Sequence, residues 1–157
     1  MKHLSLIIIS IASLLLAACG GGGSSSNTSG EQFTGTQTIT FAGNSEQTRF
    51  VMAVTESQVT ILDEDFTASG ARSGNRFSVT VPTFSVNDGG DRFDFNIQYT
   101  GTFESETRAT GSLNGTVTWV NVNSTLPISG TFAANRGSAK IANQTLSQAL
   151  IALAKQP

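Results

Sequence analysis

Residue types that often carry chemistry are scarce in this chain. Among 157 residues there is one histidine, His3, and one cysteine, Cys19. A single cysteine excludes an internal disulfide bond. His3 lies in an N-terminal segment that we expect to be removed, which would leave no imidazole for Ser-His or Cys-His catalysis or for ordinary zinc, iron or copper sites. We therefore expect no enzyme of those classes, no bound metal and no other cofactor.

Charged residues are also few, at 13% of the chain. Nine Lys and Arg oppose eleven Asp and Glu, and losing Lys2 with the N-terminal segment would leave eight against eleven, a net charge of −3. No basic patch is visible, so nucleic acid is a poor candidate partner. Much of the polarity comes from Thr, Ser, Asn and Gln, which suits the solvent-facing side of a β-sheet.

The N-terminal segment has the features of a secretory signal. Met1 to His3 is a short basic start, and residues 4–18 are apolar except for three serines. About 15 apolar residues are fewer than the roughly 20 that a membrane-spanning helix needs. The length fits the apolar region of a cleaved signal peptide better than a permanent span.

The end of this segment carries a specific motif. Leu16, Ala17, Ala18 and Cys19 match, position by position, a leucine, two small residues and a cysteine. This resembles the lipobox of bacterial lipoproteins. The resemblance implies recognition of Leu16, Ala17 and Ala18 by the signal peptidase, cleavage before Cys19, lipidation of Cys19 and, with Gly20 next, an outer-membrane location. The alternatives are an uncleaved membrane helix and an ordinary signal peptide followed by an incidental cysteine.

The following segment, residues 20–30, is rich in Gly and Ser, with no apolar side chain to bury, and predicts a flexible linker. Its eleven residues would reach about 18 Å. We therefore expect a signal peptide over 1–18, a lipidated cysteine and linker over 19–31, a β domain over 32–137, and a linker with a C-terminal helix over 138–157.

Alternation with period two dominates the β domain. From Arg92 to Phe103, apolar and glycine residues occupy one face and polar residues the other. Eight strand candidates, with a ninth possible, are joined by short turns, which favours antiparallel neighbours. The sequence predicts an all-β antiparallel meander, most simply a small eight-stranded barrel. A two-sheet sandwich is the alternative, and a membrane-spanning barrel fits less well.

Local signals refine this prediction. Residues 87–91 predict a turn, Asn114-Gly115 predicts a two-residue hairpin, and Pro82 predicts a bulge or break. Residues 63–75 form a longer polar connection, with Phe66 a candidate for a short strand. Glycines recur beside inward apolar residues at 35, 101 and 130, which favours the coiling of a closed barrel, although coincidence in a Thr- and Gly-rich chain is an alternative.

The tail has a helical pattern instead. Asn143 can cap a helix in which Leu146, Ala149, Leu150 and Leu153 form one apolar stripe. We expect this helix to cover the β domain, as a lid across a barrel end. A partner-binding helix is the alternative.

Two kinds of candidate site follow from the side chains. An eight-stranded barrel can hold one small apolar ligand or be filled by side chains. The candidate cavity residues, which would equally suit a solid core, are Phe93, Phe95, Tyr99, Phe103, Trp119 and Phe132. Carboxylates occur at residues 63–65, at 88, 91 and 94, and at Glu104 and Glu106, but these positions are typical of solvated turns, and none matches a known metal loop.

The sequence thus predicts a lipid-anchored envelope protein with a non-catalytic β domain that binds a small apolar ligand or a protein partner. One alternative is a structural or assembly component acting through its surface or tail helix. Another is a carboxylate-dependent hydrolase using a pair such as Glu104 and Glu106.

Overall fold

The computed structural model describes residues 30–137 and 145–155. They form eight β-strands and one C-terminal α-helix, with a 3-10 turn over Val120–Val122. The strands are β1 Glu31–Phe41, β2 Asn44–Val54, β3 Gln58–Leu62, β4 Thr67–Ser73, β5 Arg76–Asp88, β6 Asp91–Ser105, β7 Arg108–Trp119 and β8 Ser124–Arg136, and the helix is α1 Leu146–Ala154. The predicted all-β meander with a C-terminal helix is confirmed.

The eight strands close into one barrel. Each strand pairs antiparallel with the next, and β8 returns to pair with β1. The closing register runs from Phe33 opposite Arg136 to Phe41 opposite Ile128. The barrel prediction is therefore confirmed, and the two-sheet sandwich was wrong.

The alternation in the sequence separates the two faces of the barrel wall. Along β6, Phe93, Phe95, Ile97 and Tyr99 are fully buried, whereas Arg92, Asn96 and Gln98 are exposed. Buried apolar side chains from each of the eight strands and from α1 form one contiguous core. Burial of this apolar area is the main force that stabilises the closed barrel.

Strand β5 contains the predicted irregularity. Its pairing with β6 shifts register between Val81 and Phe84, on either side of Pro82 and Thr83. Proline has no N–H to donate, so a bulge removes it from the ladder. The shift also preserves inward packing on both sides of the break, because Val81 and Phe84 both join the core.

Several strand positions require glycine because a neighbouring group occupies the space that a Cβ would need. A Cβ on Gly101 would lie 2.4 Å from Phe77 Cζ, and one on Gly111, its partner on β7, would lie 2.5 Å from Phe132 Cζ. At Gly35 and Gly130 a Cβ would lie 1.8 and 2.4 Å from backbone carbonyl oxygens. Glycines 35, 101 and 130, from which the sequence predicted barrel coiling, thus lie where the neighbouring groups leave no room for a Cβ.

Two local predictions were wrong. Asn114 and Gly115 lie inside β7, and the turn between β6 and β7 is at residues 106–107. Gly115 serves close approach instead of a turn, since a Cβ there would lie 2.0 Å from the carbonyl oxygen of Asn96. The connection predicted over residues 63–75 contains the whole of β4, and Phe66 precedes that strand.

Helix α1 begins later than predicted. Its N-cap is Thr145, whose side chain accepts the backbone N–H of Gln148, while the Gln148 side chain accepts the backbone N–H of Thr145. This capping box satisfies two donors that the first turn would leave unpaired. The predicted cap, Asn143, was wrong and lies outside the described residues.

The predicted apolar stripe of α1 is buried. Leu146, Ala149, Leu150 and Leu153 are at most 2% exposed and belong to the barrel core. Polar contacts tie the helix to the β3–β4 connection at its start and to the β5–β6 turn just beyond its end. The helix therefore crosses one end of the barrel, and the lid expected from the sequence is confirmed.

Within residues 30–137 and 145–155, no helix is long and apolar enough to span a membrane.

Candidate functional site

The two ends of the barrel differ. The end that carries the β3–β4 and β5–β6 connections is covered by α1. The opposite end holds the start of β1, the end of β8 and the β2–β3, β4–β5 and β6–β7 turns. There the structure forms an open cavity of about 270 Å³, which we call the mouth pocket; it is lined by Glu31, Phe33, Val54, Arg72, Phe103, Ser105, Glu106 and Arg136.

At the covered end, the acidic triplet holds the first turn of α1. Asp63 Oδ2 accepts the backbone N–H of Leu146 at 3.3 Å, and Asp65 accepts the Ser147 hydroxyl. Carboxylates at a helix N-terminus accept hydrogen bonds from its unpaired N–H groups and interact favourably with the positive end of the helix dipole. The sequence suggested solvated turn residues here, whereas the structure assigns Asp63 and Asp65 to docking of the helix.

Asp63 is also electrostatically unusual. Burial raises the pKa of its carboxyl, and the nearby charges of Asp65 and Glu64 act in the same direction. The backbone N–H groups of Asp65 and Leu146 oppose the increase because they stabilise the carboxylate. The helix start thus rests on a carboxylate whose charge is only partly compensated.

A second contact fixes the other end of α1. Lys155 Nζ lies 2.5 Å from Asp88 Oδ2 at the β5–β6 turn, and it also lies 5.8 Å from the centre of the Phe93 ring. Both charged groups are partly exposed, so the pair adds little stability by itself. The ion pair does position the end of α1 beside the β5–β6 turn.

The six candidate cavity residues lie on the barrel interior or at its rim. Phe103 lines the mouth pocket. The other five pack against rings, with centroid separations of 5.4 Å for Phe93 and Trp119, 5.0 Å for Phe95 and Phe84, 5.6 Å for Tyr99 and Phe50, and 4.3 Å for Phe132 and Phe50. Ring contacts of this kind are typical of a packed core.

Two polar groups in this set have different surroundings. The Tyr99 hydroxyl is buried and donates to Gln37 Oε1 at 3.1 Å, while Gln37 Nε2 donates to the Arg49 carbonyl at 3.3 Å. Burial, helped by the charge of Asp63, raises the pKa of Tyr99 well above its usual value, so this phenol is a neutral donor. Among the residues that the structure describes, the buried indole N–H of Trp119 has no acceptor.

The mouth pocket combines an apolar floor with a charged rim. Phe33, Val54 and Phe103 are at most 8% exposed and form its floor. On the rim, Arg136 forms an ion pair with Glu31, which joins the end of β8 to the start of β1. Arg72 lies over the Phe103 ring, with its guanidinium carbon 4.3 Å from the ring centre.

Arg72 is the residue that sequence reasoning missed. It lies on β4, in the segment predicted as a connection, so no strand pattern placed it at the barrel end. Its Nε–H donates to the Gly74 carbonyl and an Nη1–H to the Thr55 carbonyl, both at 3.0 Å. Arginine has five N–H donors, so three remain without an acceptor among residues 30–137 and 145–155. In the part of the chain that the structure describes, Arg72 forms no ion pair with a carboxylate.

The two carboxylates of the candidate hydrolase pair have different surroundings. Glu104 accepts from Arg108 Nε and from the Thr110 hydroxyl, each at 2.8 Å, and these bonds lower the pKa of its carboxyl. A lowered pKa suits a surface ion pair and not a general acid. Glu106 lines the mouth pocket, whereas Glu104 is absent from its lining.

The second acidic group is used by surface contacts. Asp94 accepts from the Ser85 hydroxyl at 2.6 Å and from Arg92 Nε at 2.9 Å, which lowers the pKa of its carboxyl, and Asp88 pairs with Lys155. Across residues 30–137 and 145–155, no three His, Cys, Asp or Glu side chains are grouped so as to hold a metal ion.

The predicted lipidation site Cys19 and the recognition residues Leu16, Ala17 and Ala18 lie outside the described residues. Comparison of the chain with protein-family models and with curated proteins found no match.

Proposed function

We propose that this chain is a bacterial envelope lipoprotein, anchored to the outer membrane through lipid on Cys19, whose barrel binds a small molecule and performs no catalysis. The observation that carries the anchor is the run from Leu16 to Cys19 after an apolar segment of signal-peptide length. Each buried acyl CH2 contributes about 0.8 kcal/mol, and more than one chain is needed for stable attachment.

The position of β1 supports this proposal. The first strand begins at Glu31, directly after the Gly- and Ser-rich segment, and its start lies at the mouth. A linker with a reach of about 18 Å would therefore attach at the open end of the barrel. Under the proposed anchoring, the mouth lies at the tethered end of the barrel and α1 at the far end.

The two faces of the barrel wall support a tethered body over a membrane-spanning one. Transmembrane barrels turn an apolar band outward and enclose a polar interior. Here the aromatic side chains of β6 point inward, and charged and amide side chains point outward. We therefore propose that lipid, and not the barrel wall, supplies the membrane contact.

The interior contacts favour binding at the mouth over binding at the barrel centre. Five of the six candidate cavity aromatics pack against neighbouring rings, whereas Phe103 also borders open space. The alternative in which α1 captures a partner through its apolar stripe would require the helix to leave the core, because that stripe is buried.

Metabolic labelling tests the anchor. Cells expressing the full chain and a Cys19→Ser variant would be fed an alkyne analogue of palmitate, and the products compared by mass. The natural chain should incorporate label and lose residues 1–18, and the variant should stay unlabelled with the leader attached. A Ser24→Ala variant controls for changes in the linker. An unlabelled natural chain cut at another position would refute the proposal.

A further inference from the structure

The mouth pocket contains a cationic group that the protein's own contacts leave incompletely satisfied. Arg72 is only partly exposed, has no ion-pair partner in the described residues, and keeps three N–H donors beyond those used by Thr55 and Gly74. A guanidinium is planar and presents paired N–H groups whose geometry matches a carboxylate. Arg136, the other arginine on the rim, differs from Arg72 because it forms an ion pair with Glu31.

The two backbone bonds of Arg72 fix its position. The carbonyl of Thr55 belongs to the β2–β3 turn and that of Gly74 to the β4–β5 turn, so the side chain bridges two neighbouring turns. Contact with the face of Phe103 adds a third restraint. A held guanidinium loses less conformational entropy on binding an anion than a free surface arginine does.

The floor defines the other half of the ligand. Phe33, Val54 and Phe103 close the inner side of the pocket beside the charged group, with at most 8% of each side chain exposed. About 270 Å³ is just below the usual range for ligand pockets, about 300–1,000 Å³, and equals the liquid volume of about nine water molecules. The pocket therefore suits a compact molecule and excludes a folded polypeptide or a long acyl chain.

We propose that the mouth pocket binds a small monocarboxylic acid, with its carboxylate on Arg72 and its apolar body on the Phe33, Val54 and Phe103 floor. This proposal names the ligand class for the binding role proposed above. It does not depend on the lipid anchor, so failure of the labelling experiment and failure of the binding experiment are distinguishable.

Sodium benzoate is the probe, because it joins one carboxylate to one compact apolar ring. The full chain, labelled with ¹⁵N and held in phosphatidylcholine nanodiscs, would be titrated while backbone amide and Arg72 Nε–H shifts are followed; empty nanodiscs provide the blank. The shifts should saturate with a Kd at or below about 1 mM and be confined to the turns around the mouth.

Matched probes separate the two halves of the ligand. Benzyl alcohol keeps the ring without the charge and should bind at least tenfold more weakly than benzoate. Acetate keeps the charge without the ring and should also bind more weakly than benzoate, but by a smaller factor because little of the floor is exposed. Inorganic phosphate and phosphatidylglycerol nanodiscs test whether a phosphate group from solution or from a lipid is the real ligand. Tighter binding of either, or benzyl alcohol binding as well as benzoate, would overturn the proposal.

Variants test the residue assignment. Arg72→Gln should weaken benzoate binding at least tenfold, as expected for the loss of a hydrogen bond to a charged group. The Kd of Arg72→Lys should lie between those of the natural chain and Arg72→Gln, because lysine keeps the positive charge but lacks the paired N–H groups of a guanidinium. Arg76→Gln, which removes another arginine of the same hairpin outside the pocket lining, should leave the Kd unchanged. Glu106→Gln should tighten binding about two- to five-fold by removing a like charge.

These outcomes remain decisive if Arg72→Gln fails to fold. The NMR chemical-shift changes of the natural chain show by themselves where benzoate binds. Glu106→Gln is a second test that leaves the hydrogen bonds of Arg72 to the two turns intact. Shifts centred on α1, an absence of saturable shifts, or a Kd insensitive to both Arg72→Lys and Glu106→Gln would each reject the mouth pocket as the carboxylate site.

Discussion

The buried bond between Tyr99 and Gln37 gives the sharpest test of how the core is stabilised. The two residues are 62 positions apart in sequence, and their bond joins β6 to β1 across the interior. Tyr99→Phe removes the donor and leaves Gln37 Oε1 buried without one. Stranding a buried polar group costs about 1–3 kcal/mol. For a domain of this size, 2 kcal/mol corresponds to a fall in melting temperature of roughly 6–12 °C.

A double-mutant cycle isolates the bond from the other effects of each change. Gln37→Leu removes the acceptor and strands the Tyr99 hydroxyl, so it should also destabilise the protein. Replacing both partners together leaves neither of them unpaired, and the double variant should cost less than the sum of the single variants. We expect a coupling energy of at least about 1 kcal/mol.

The assay is equilibrium urea unfolding of the natural chain, both single variants and the double variant, with the denaturant slope compared across the set. Thr100→Val is the matched control: its hydroxyl, on the adjacent residue of β6, bonds Ser112 at the exposed surface, so its loss should change the free energy of unfolding by less than about 0.5 kcal/mol. Single-variant costs that add to within about 0.5 kcal/mol would refute the reasoning.

Three further predictions concern the barrel wall and the lid. Gly101→Ala should destabilise the protein by about 1–3 kcal/mol because the added Cβ would clash with Phe77. The double variant with Phe77→Leu should lose less stability than the two single variants added together. Strict additivity of these losses in urea unfolding would contradict the prediction. Leu150→Ala should lower the free energy of unfolding by about 2–5 kcal/mol because Leu150 is buried. The control Ala152→Ser, on the exposed face of α1, should change it little. Equal melting temperatures of the two variants would contradict burial of the apolar stripe. Because the folded pKa of Asp63 is raised, its ionisation disfavours the folded state. The free energy of unfolding of the natural chain should therefore rise relative to Asp63→Asn as the pH falls from 7 towards 3.8, and parallel pH profiles would show that burial does not act on this carboxyl.

The parts of the fold that the sequence predicts are those in which burial alternates along a long strand. The run from Phe93 to Phe103 fixes both the position and the facing of β6, and the bulge follows from the missing donor of Pro82. The C-terminal helix follows from its apolar stripe, because no strand register could place Leu146, Leu150 and Leu153 on one buried face.

The failures have a common physical cause, which is that contacts between distant strands outweighed local preference. Asn114-Gly115 has strong turn propensity, yet β7 pairs along its length with both β6 and β8, and the ladder overrides the turn. In β4, Ala68 is the single buried apolar residue, so no alternation marks the strand. Since Arg72 lies on that unmarked strand, the mouth pocket was not predictable from the sequence.

The pairing of β1 with β8 has a consequence for how the chain folds. Every other ladder joins strands adjacent in sequence and can form as a local hairpin, whereas the last one joins residues separated by about a hundred positions. Closing a loop of that length costs roughly 4 kcal/mol more than closing a minimal one. A chain in which β1 and β8 have not yet paired therefore carries two unpaired sheet edges, and this interval is when it is most open to misassociation with a second copy.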